Sequence, residues 1–198
     1  MSLETVNLAL FSAINASATA KPFVVHLAIF IANDVLYILL ALLLFLWCYG
    51  DLQLKERALK AVVLTGIALL LGYVISLIYP HSRPFVLHVG RTLIEHKATA
   101  SFPSNHMLIF STIALSYYFS ARKCIGSILF ALAAAVAWSR VYLGVHFPLD
   151  MLGGLIVAVL VNIAGYYAWQ RYGQMCLQLA LRIYQWVAKP LLQRGLIK

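Results

Sequence analysis

Apolar residues in this chain gather into five long runs, at about 23–49, 61–79, 105–120, 124–142 and 149–169, with short polar breaks between them. Each is near the roughly 20 apolar residues that a helix needs to cross a bilayer. The first run opens at Lys21-Pro22, closes on Trp47 and Tyr49, and is interrupted by Asn33 and Asp34. Aromatic residues at a span end fit the membrane–water boundary. A carboxyl inside a span normally faces the protein interior, so Asp34 is expected to partner the functional site or a neighbouring helix.

The intervening segments differ in kind. Residues 2–16 mix Leu3, Val6, Leu8, Leu10, Phe11 and Ile14 with polar positions. They predict a short amphipathic helix lying at the membrane interface. Residues 51–60 read as a polar loop carrying Lys55, Arg57 and Lys60, and Arg122-Lys123 as a tight turn. The connection at 80–104 is too long for a simple turn and is rich in His, Arg and Pro. The tail at 171–198 mixes apolar residues with Arg182, Lys189, Arg194 and Lys198, predicting a basic amphipathic helix on the membrane surface. The expected fold is all-α, a polytopic membrane helix bundle forming a single domain over 1–198. It has five transmembrane helices, or six if the N-terminal segment also crosses.

Composition strengthens this picture. The 198 residues are 63% hydrophobic and 11% charged, far from the soluble average of about half apolar and a quarter charged. The net charge of +9 fits anionic lipid or an anionic substrate. Its basic residues are scattered between the runs, which argues against nucleic acid. Cys48, Cys124 and Cys176 form no CxxC or Cys/His cluster, so neither a disulfide framework nor a zinc site is expected. The first residues lack a basic start followed by an apolar core, so no cleavable signal peptide is expected. The positive-inside rule puts Lys55, Arg57, Lys60, Arg122, Lys123 and the tail in the cytoplasm. The long 80–104 connection then lies outside, where Arg83, Arg91 and Lys97 break the rule and point to an anion.

Three polar groups converge on that outer side: His81-Ser82-Arg83-Pro84, Pro103-Ser104-Asn105-His106, and Ser139-Arg140 through His146 to Asp150. Arg83 and Arg140 offer forked donors to phosphate oxygens. Ser104 stands where a helix begins, so its hydroxyl and the free N–H groups of Asn105 and His106 can bind an anion. Pro148 suits the first turn of the next helix. His146 and Asp150 then share a face at i,i+4, and the carboxylate can fix the imidazole tautomer. Two histidines at one phosphate can divide nucleophilic attack from leaving-group protonation. A metal centre fits poorly, because the flanking arginines repel a cation. His26, His81, His88 and His96 read as scattered interfacial residues, although His81 and His88 flank Arg83 closely enough to touch a substrate.

These motifs resemble the type-2 phosphatidic acid phosphatase superfamily, whose signature is Lys-x6-Arg-Pro, Pro-Ser-Gly-His and Ser-Arg-x5-His-x3-Asp. Ser139, Arg140, His146 and Asp150 match the third part in full. Pro103, Ser104 and His106 match the second, with Asn105 for glycine; Arg83-Pro84 match the first, with Ser76 at the lysine position. Within the superfamily the pattern is most similar to the bacitracin-resistance type of bacterial undecaprenyl diphosphate phosphatase. The resemblance implies metal-independent hydrolysis of undecaprenyl diphosphate on the outer face of the bacterial plasma membrane, with no cofactor and no obligatory protein partner. It implies His146 as phosphorylated nucleophile, Asp150 as its orienting partner and His106 as general acid. Arg83, Ser104, Asn105 and Arg140 would bind the phosphate. Another lipid phosphate as substrate, phosphotransfer to an acceptor lipid, and a non-catalytic lipid transporter are the competing readings.

Overall fold

The computed structural model describes residues 2–120 and 122–197, and every regular element among them is a helix. In chain order these are α1 (Leu3–Ile14), α2 (Pro22–Tyr49), α3 (Leu52–Ile78), α4 (Asn105–Phe119), α5 (Lys123–Tyr142), α6 (Pro148–Val187) and α7 (Lys189–Gln193). Among the described residues, α2, α3, α5 and α6 are long and apolar enough to cross a membrane. Helix α4, at 15 residues, is about 23 Å long. It is the buried centre of the bundle, packed on α3, α5 and α6. That explains why its sequence is apolar on all sides. The outer helices present large apolar side chains outward, among them Phe30, Ile38, Leu44, Leu70 and Leu160.

Several expected boundaries move. The polar stretch at 51–60 is not a loop. Asp51 caps α3 by accepting from the Leu54 N–H at 2.8 Å, and the helix runs straight through Lys55 and Lys60. The ammonium groups of both lysines lie over aromatic rings, Lys55 over Tyr184 at 4.6 Å and Lys60 over Tyr166 at 5.8 Å. The C-terminal tail is not a separate surface helix either. Helix α6 continues unbroken for 40 residues, about 60 Å against a hydrocarbon core of about 30 Å. Nothing interrupts it until Lys189-Pro190 opens α7. Its far half packs against the bundle, with Leu177 buried and Tyr184 edge-on to Trp47 at 5.7 Å. Lys198, counted in that tail, lies outside the described residues.

Asp34 corrects another expectation. It is exposed on the outer face of α2 and neither reaches the polar cluster nor packs between helices. Ala28, Ala32, Val35 and Leu39 form the buried stripe, and residue 34 falls off it by helical rotation.

Helix α1 is too short to cross, at 12 residues, and it does not simply rest at an interface. Phe11 is fully buried against Phe147, with ring centroids 5.2 Å apart. Buried Asn7 accepts from the Leu149 N–H at 3.1 Å, satisfying one of the free amides that begin α6. Asn15 then clamps the connection between α3 and α4, donating to Arg91 O at 2.9 Å and accepting from Arg91 N at 2.7 Å. Gly144 permits that connection to pass close by. Its φ is +78°, and a Cβ there would collide with Arg91 O.

Candidate active site

The cluster forms at one end of the bundle, where α3 and α5 finish and α4 and α6 begin. Two helix starts are tied together there. The Ser104 N–H donates to Asp150 O at 3.1 Å, and the Ser104 hydroxyl caps α4 by accepting from Met107 N at 3.5 Å. Gly154 allows this approach, because a Cβ would stand 2.9 Å from the Met107 Cβ. Asn105 and His106 therefore occupy the first turn of α4, exposed and half-buried respectively. Burial disfavours a positive charge on the His106 ring, and Arg140, His146, His96 and Arg83 act in the same direction.

Asp150 is buried at the third position of α6 and serves several donors at once. Its Oδ2 accepts from Phe147 N at 2.7 Å, from His146 Nδ1 at 3.2 Å and from the Ser101 hydroxyl. The first bond reaches back to the residue that starts the helix, which explains why the carboxylate holds still. Ser101 Oγ also lies 3.2 Å from His146 Nδ1, so the imidazole N–H is shared between serine and carboxylate.

The other imidazole nitrogen is defined by Arg83. Its Nη1 stands 3.0 Å from His146 Nε2. Guanidinium can only donate, so Nε2 must carry the lone pair and Nδ1 the proton. Arg83 is itself buried and bound on every side. It donates to Thr99 O at 3.0 Å, Val145 O at 2.9 Å and Ala100 O at 3.2 Å. Burial pushes its pKa down to about 10, partly offset by Asp150, so it remains a cation at neutral pH. His146 is 2% exposed. Burial lowers its pKa to about 4; Arg83 and Arg140 act the same way and the Asp150 bond opposes them. The ring is thus neutral at physiological pH, with a lone pair at Nε2.

Arg140 lies in the last turn of α5, 2% exposed, and its Nε is buried with no hydrogen-bond partner among the described residues. An unsatisfied guanidinium in such a place is costly unless an anion completes it. Ser139, its neighbour, turns back on its own helix and donates to Val136 O at 2.8 Å.

All seven expected residues stand at this end of the bundle, and three others join them. Ser101 was not anticipated. No periodicity or helix position marks it, and its placement depends on a bond from its N–H to His81 O at 2.7 Å. His81 proves more than an interfacial residue. Its Nδ1 is 3.6 Å from Asp150 Oδ1, and its ring stacks on Tyr79 and tilts against Phe147. The carboxylate raises its pKa, more than burial lowers it. His96 also enters, edge-on to His146 with ring centroids 6.2 Å apart. Its pKa is lowered, chiefly by burial. His88 stays away, exposed and hydrogen-bonded within its own turn to Val86 O. Of the three cations in the connection, only Arg83 points into the cluster. Arg91 fastens the chain by donating to Ser17 O at 2.8 Å. Lys97 is exposed beside an open depression shared with Glu95, His96 and Thr99. Ser76, at the lysine position of the first motif, is half-buried and donates to Tyr73 O of its own helix.

Comparison with known proteins adds an independent observation. The PAP2 superfamily model matches residues 57–174, a range that contains all three polar groups. The chain is 39% identical over 184 residues to the putative undecaprenyl-diphosphatase YbjG of Escherichia coli, covering 93% of this chain and 91% of the relative. It is 32% identical over 190 residues to the undecaprenyl-diphosphatase BcrC of Bacillus subtilis, covering 96% and 97%. Among solved structures, Aquifex aeolicus LpxE superposes with a TM-score of 0.68 at 27% identity, over 84% of this chain and 99% of that one. A PAP2-type phosphatidylglycerolphosphate phosphatase from Bacillus subtilis shares the fold, with a TM-score of 0.62 at 24% identity over 85% and 87%.

Proposed function

The chain belongs to the PAP2 superfamily, and we propose that it hydrolyses undecaprenyl diphosphate to undecaprenyl phosphate through a phosphohistidine at His146. The observation that carries this reading is the buried Arg140 guanidinium with an unsatisfied Nε, beside a neutral His146 whose tautomer is already set. The names of relatives that align over most of their length supply the substrate.

The terminal phosphate enters between Arg83, Arg140 and the start of α4. Its oxygens take donors from both guanidiniums, the Ser104 hydroxyl and the Asn105 and His106 amides. Arg83 Nη1 exchanges its contact with Nε2 for a phosphate oxygen, which frees the lone pair. His146 Nε2 then attacks phosphorus in line, and the bond to the bridging oxygen breaks. Charge on the equatorial oxygens is held by donors already in place, the largest single source of rate enhancement in such sites. His106, which takes up a proton as the polyanionic diphosphate binds beside it, gives that proton to the departing undecaprenyl phosphate. Neutral His106 next takes a proton from water, whose oxygen attacks phosphorus and breaks the P–N bond. Inorganic phosphate leaves and His146 is restored. Asp150 and Ser101 hold the Nδ1 proton throughout and stabilise the imidazolium character that develops at attack.

No step requires a metal, and the two arginines place positive charge where a metal ion would sit. Chelators should therefore leave activity intact, and vanadate should inhibit. The basic ends of α3, α5 and α6 lie opposite the site, so by the positive-inside rule it opens on the outer face of the bacterial inner membrane. Expression should raise tolerance to bacitracin. The deciding experiment assays undecaprenyl diphosphate, phosphatidic acid, phosphatidylglycerophosphate and lipid A with purified wild type and His146→Ala. Phosphate release from undecaprenyl diphosphate by wild type alone is expected. Release from phosphatidic acid but not from undecaprenyl diphosphate would overturn the substrate, and a fully active His146→Ala would overturn the mechanism.

A further inference from the structure

The opposite end of the bundle carries a second polar cavity that the proposed reaction does not use. The first turns of α3, the end of α4 and the middle of α6 enclose about 380 Å³, lined by Gln53, Glu56, Arg57, Lys60, Ser120 and Trp169. One of its two cations has a buried nitrogen without an acceptor among the described residues. Arg57 Nη2 donates to Gln53 Oε1 at 3.3 Å, while its Nη1 is buried without a hydrogen-bond partner among the described residues. Lys60 is only 7% exposed, and its ammonium meets the Tyr166 ring at 5.8 Å. No carboxylate among the described residues lies within ion-pair distance of either. The one acid in the cavity, Glu56, accepts from Trp169 Nε1 at 3.1 Å. The cavity thus holds two cations and one partly engaged carboxylate, and the buried Arg57 Nη1 lacks an acceptor among the described residues. Burying such a donor costs free energy that an anion would offset.

Position narrows the ligand. The cavity lies where α3 begins and α4 ends, at the bundle end that also carries Arg122 and Lys123. Trp169 in its wall is the type of side chain found at the headgroup level. The outer surfaces of α3 and α6 beside it are apolar, so acyl chains can lie along them. We propose that this cavity is a binding site for the phosphate of an anionic phospholipid headgroup, held by Arg57 and Lys60, in the leaflet away from the active site. Soluble phosphate shares the recognising chemistry and is separated from lipid by the test.

The full-length protein, stripped of lipid in a neutral detergent, is titrated with phosphatidylglycerol, phosphatidylcholine or inorganic phosphate while thermal unfolding is followed. Wild type is compared with Arg57→Gln and, should that variant not fold, with Lys60→Gln. Phosphatidylglycerol is expected to raise Tm, and its apparent affinity to fall about tenfold in either variant, the equivalent of one charge-assisted bond. Phosphatidylcholine should do much less, and kcat on the lipid diphosphate should stay at the wild-type value. A rise with inorganic phosphate that the variants abolish, without one from phosphatidylglycerol, would overturn the lipid as the source. Equal stabilisation by phosphatidylcholine, or an undiminished phosphatidylglycerol effect in the variant, would overturn the site. Neither outcome touches the reading of His146, which is assayed by hydrolysis.

Discussion

Both ends of this bundle hold an arginine with buried guanidinium nitrogen, but they hold it in different ways. At the His146 end, Arg83 is fixed by three backbone carbonyls, Thr99 O, Val145 O and Ala100 O, from two separate chain segments. At the other end Arg57 has one long bond, to the side chain of Gln53 on its own helix. A guanidinium locked by backbone cannot relax when charge develops beside it, and that rigidity lowers the cost of reorganisation in a transition state. A guanidinium on a flexible stem can follow a ligand of variable shape, and suits binding. Under the proposed function, buried positive charge alone does not make a catalytic site. What distinguishes the His146 end is charge held by carbonyls that were themselves positioned by folding.

Substitutions can break or sharpen this contrast. His146→Ala removes the neutral imidazole whose lone pair is set by Arg83, and kcat should fall by about 10⁴ or more, as when a covalent nucleophile is lost. An equal loss in Arg57→Gln would erase the distinction between the ends. Arg83→Lys keeps the charge but loses the fork. Three carbonyls and Nε2 cannot be served by one ammonium, so kcat/KM should drop about 10²–10³-fold, with helix content by circular dichroism unchanged. Ser101→Ala should lower kcat about tenfold and leave KM in place, since the serine orients the imidazole through Asp150 and meets no substrate. A change confined to KM would show that Ser101 contacts the lipid headgroup instead.

The smallest effect is a pH dependence. His81 has a raised pKa in the folded protein because of Asp150. Its contribution to stability is therefore fully present below the unfolded value of about 6.5 and disappears as pH rises through the folded value. Thermal unfolding of wild type and His81→Asn should differ most at acid pH and converge at alkaline pH. A constant difference would mean that His81 acts only by stacking on Tyr79. His146 has the opposite sign. With its folded pKa lowered to about 4, the unfolded chain binds more protons between about pH 4 and 6.5, so that residue costs stability as pH falls through this window.

Much of this architecture is legible in the chain, and the divide follows the range of the forces involved. The lengths of the apolar runs mark α2, α4 and α5 nearly to the residue, because a helix in lipid must satisfy its own backbone. The i,i+4 spacing of His146 and Asp150 and the position of Ser104 before α4 place those groups, because one turn of helix fixes them. Asp34 departs from expectation because a carboxyl inside a span does not by itself fix the direction it faces. That direction follows from which stripe of α2 packs, and Ala28 and Ala32 take it. The tail reads as separate from α6 because its composition changes after Trp169, although no proline interrupts the helix before Pro190.

The rest depends on contacts between residues far apart in the chain. Ser101 and His81 reach Asp150 only because residues 79–104, without regular secondary structure, are drawn over the bundle end. That path is held by Asn15 on Arg91 and by Arg83 on Thr99, Ala100 and Val145. No periodic pattern encodes it, since an irregular segment satisfies its backbone groups with whatever neighbours the fold provides. The amino-acid sequence by itself therefore specified the helices, their membrane character and the residues able to handle phosphate. Tertiary packing selected which of the loop histidines and serines would serve the carboxylate, and which arginine would be immobilised beside His146.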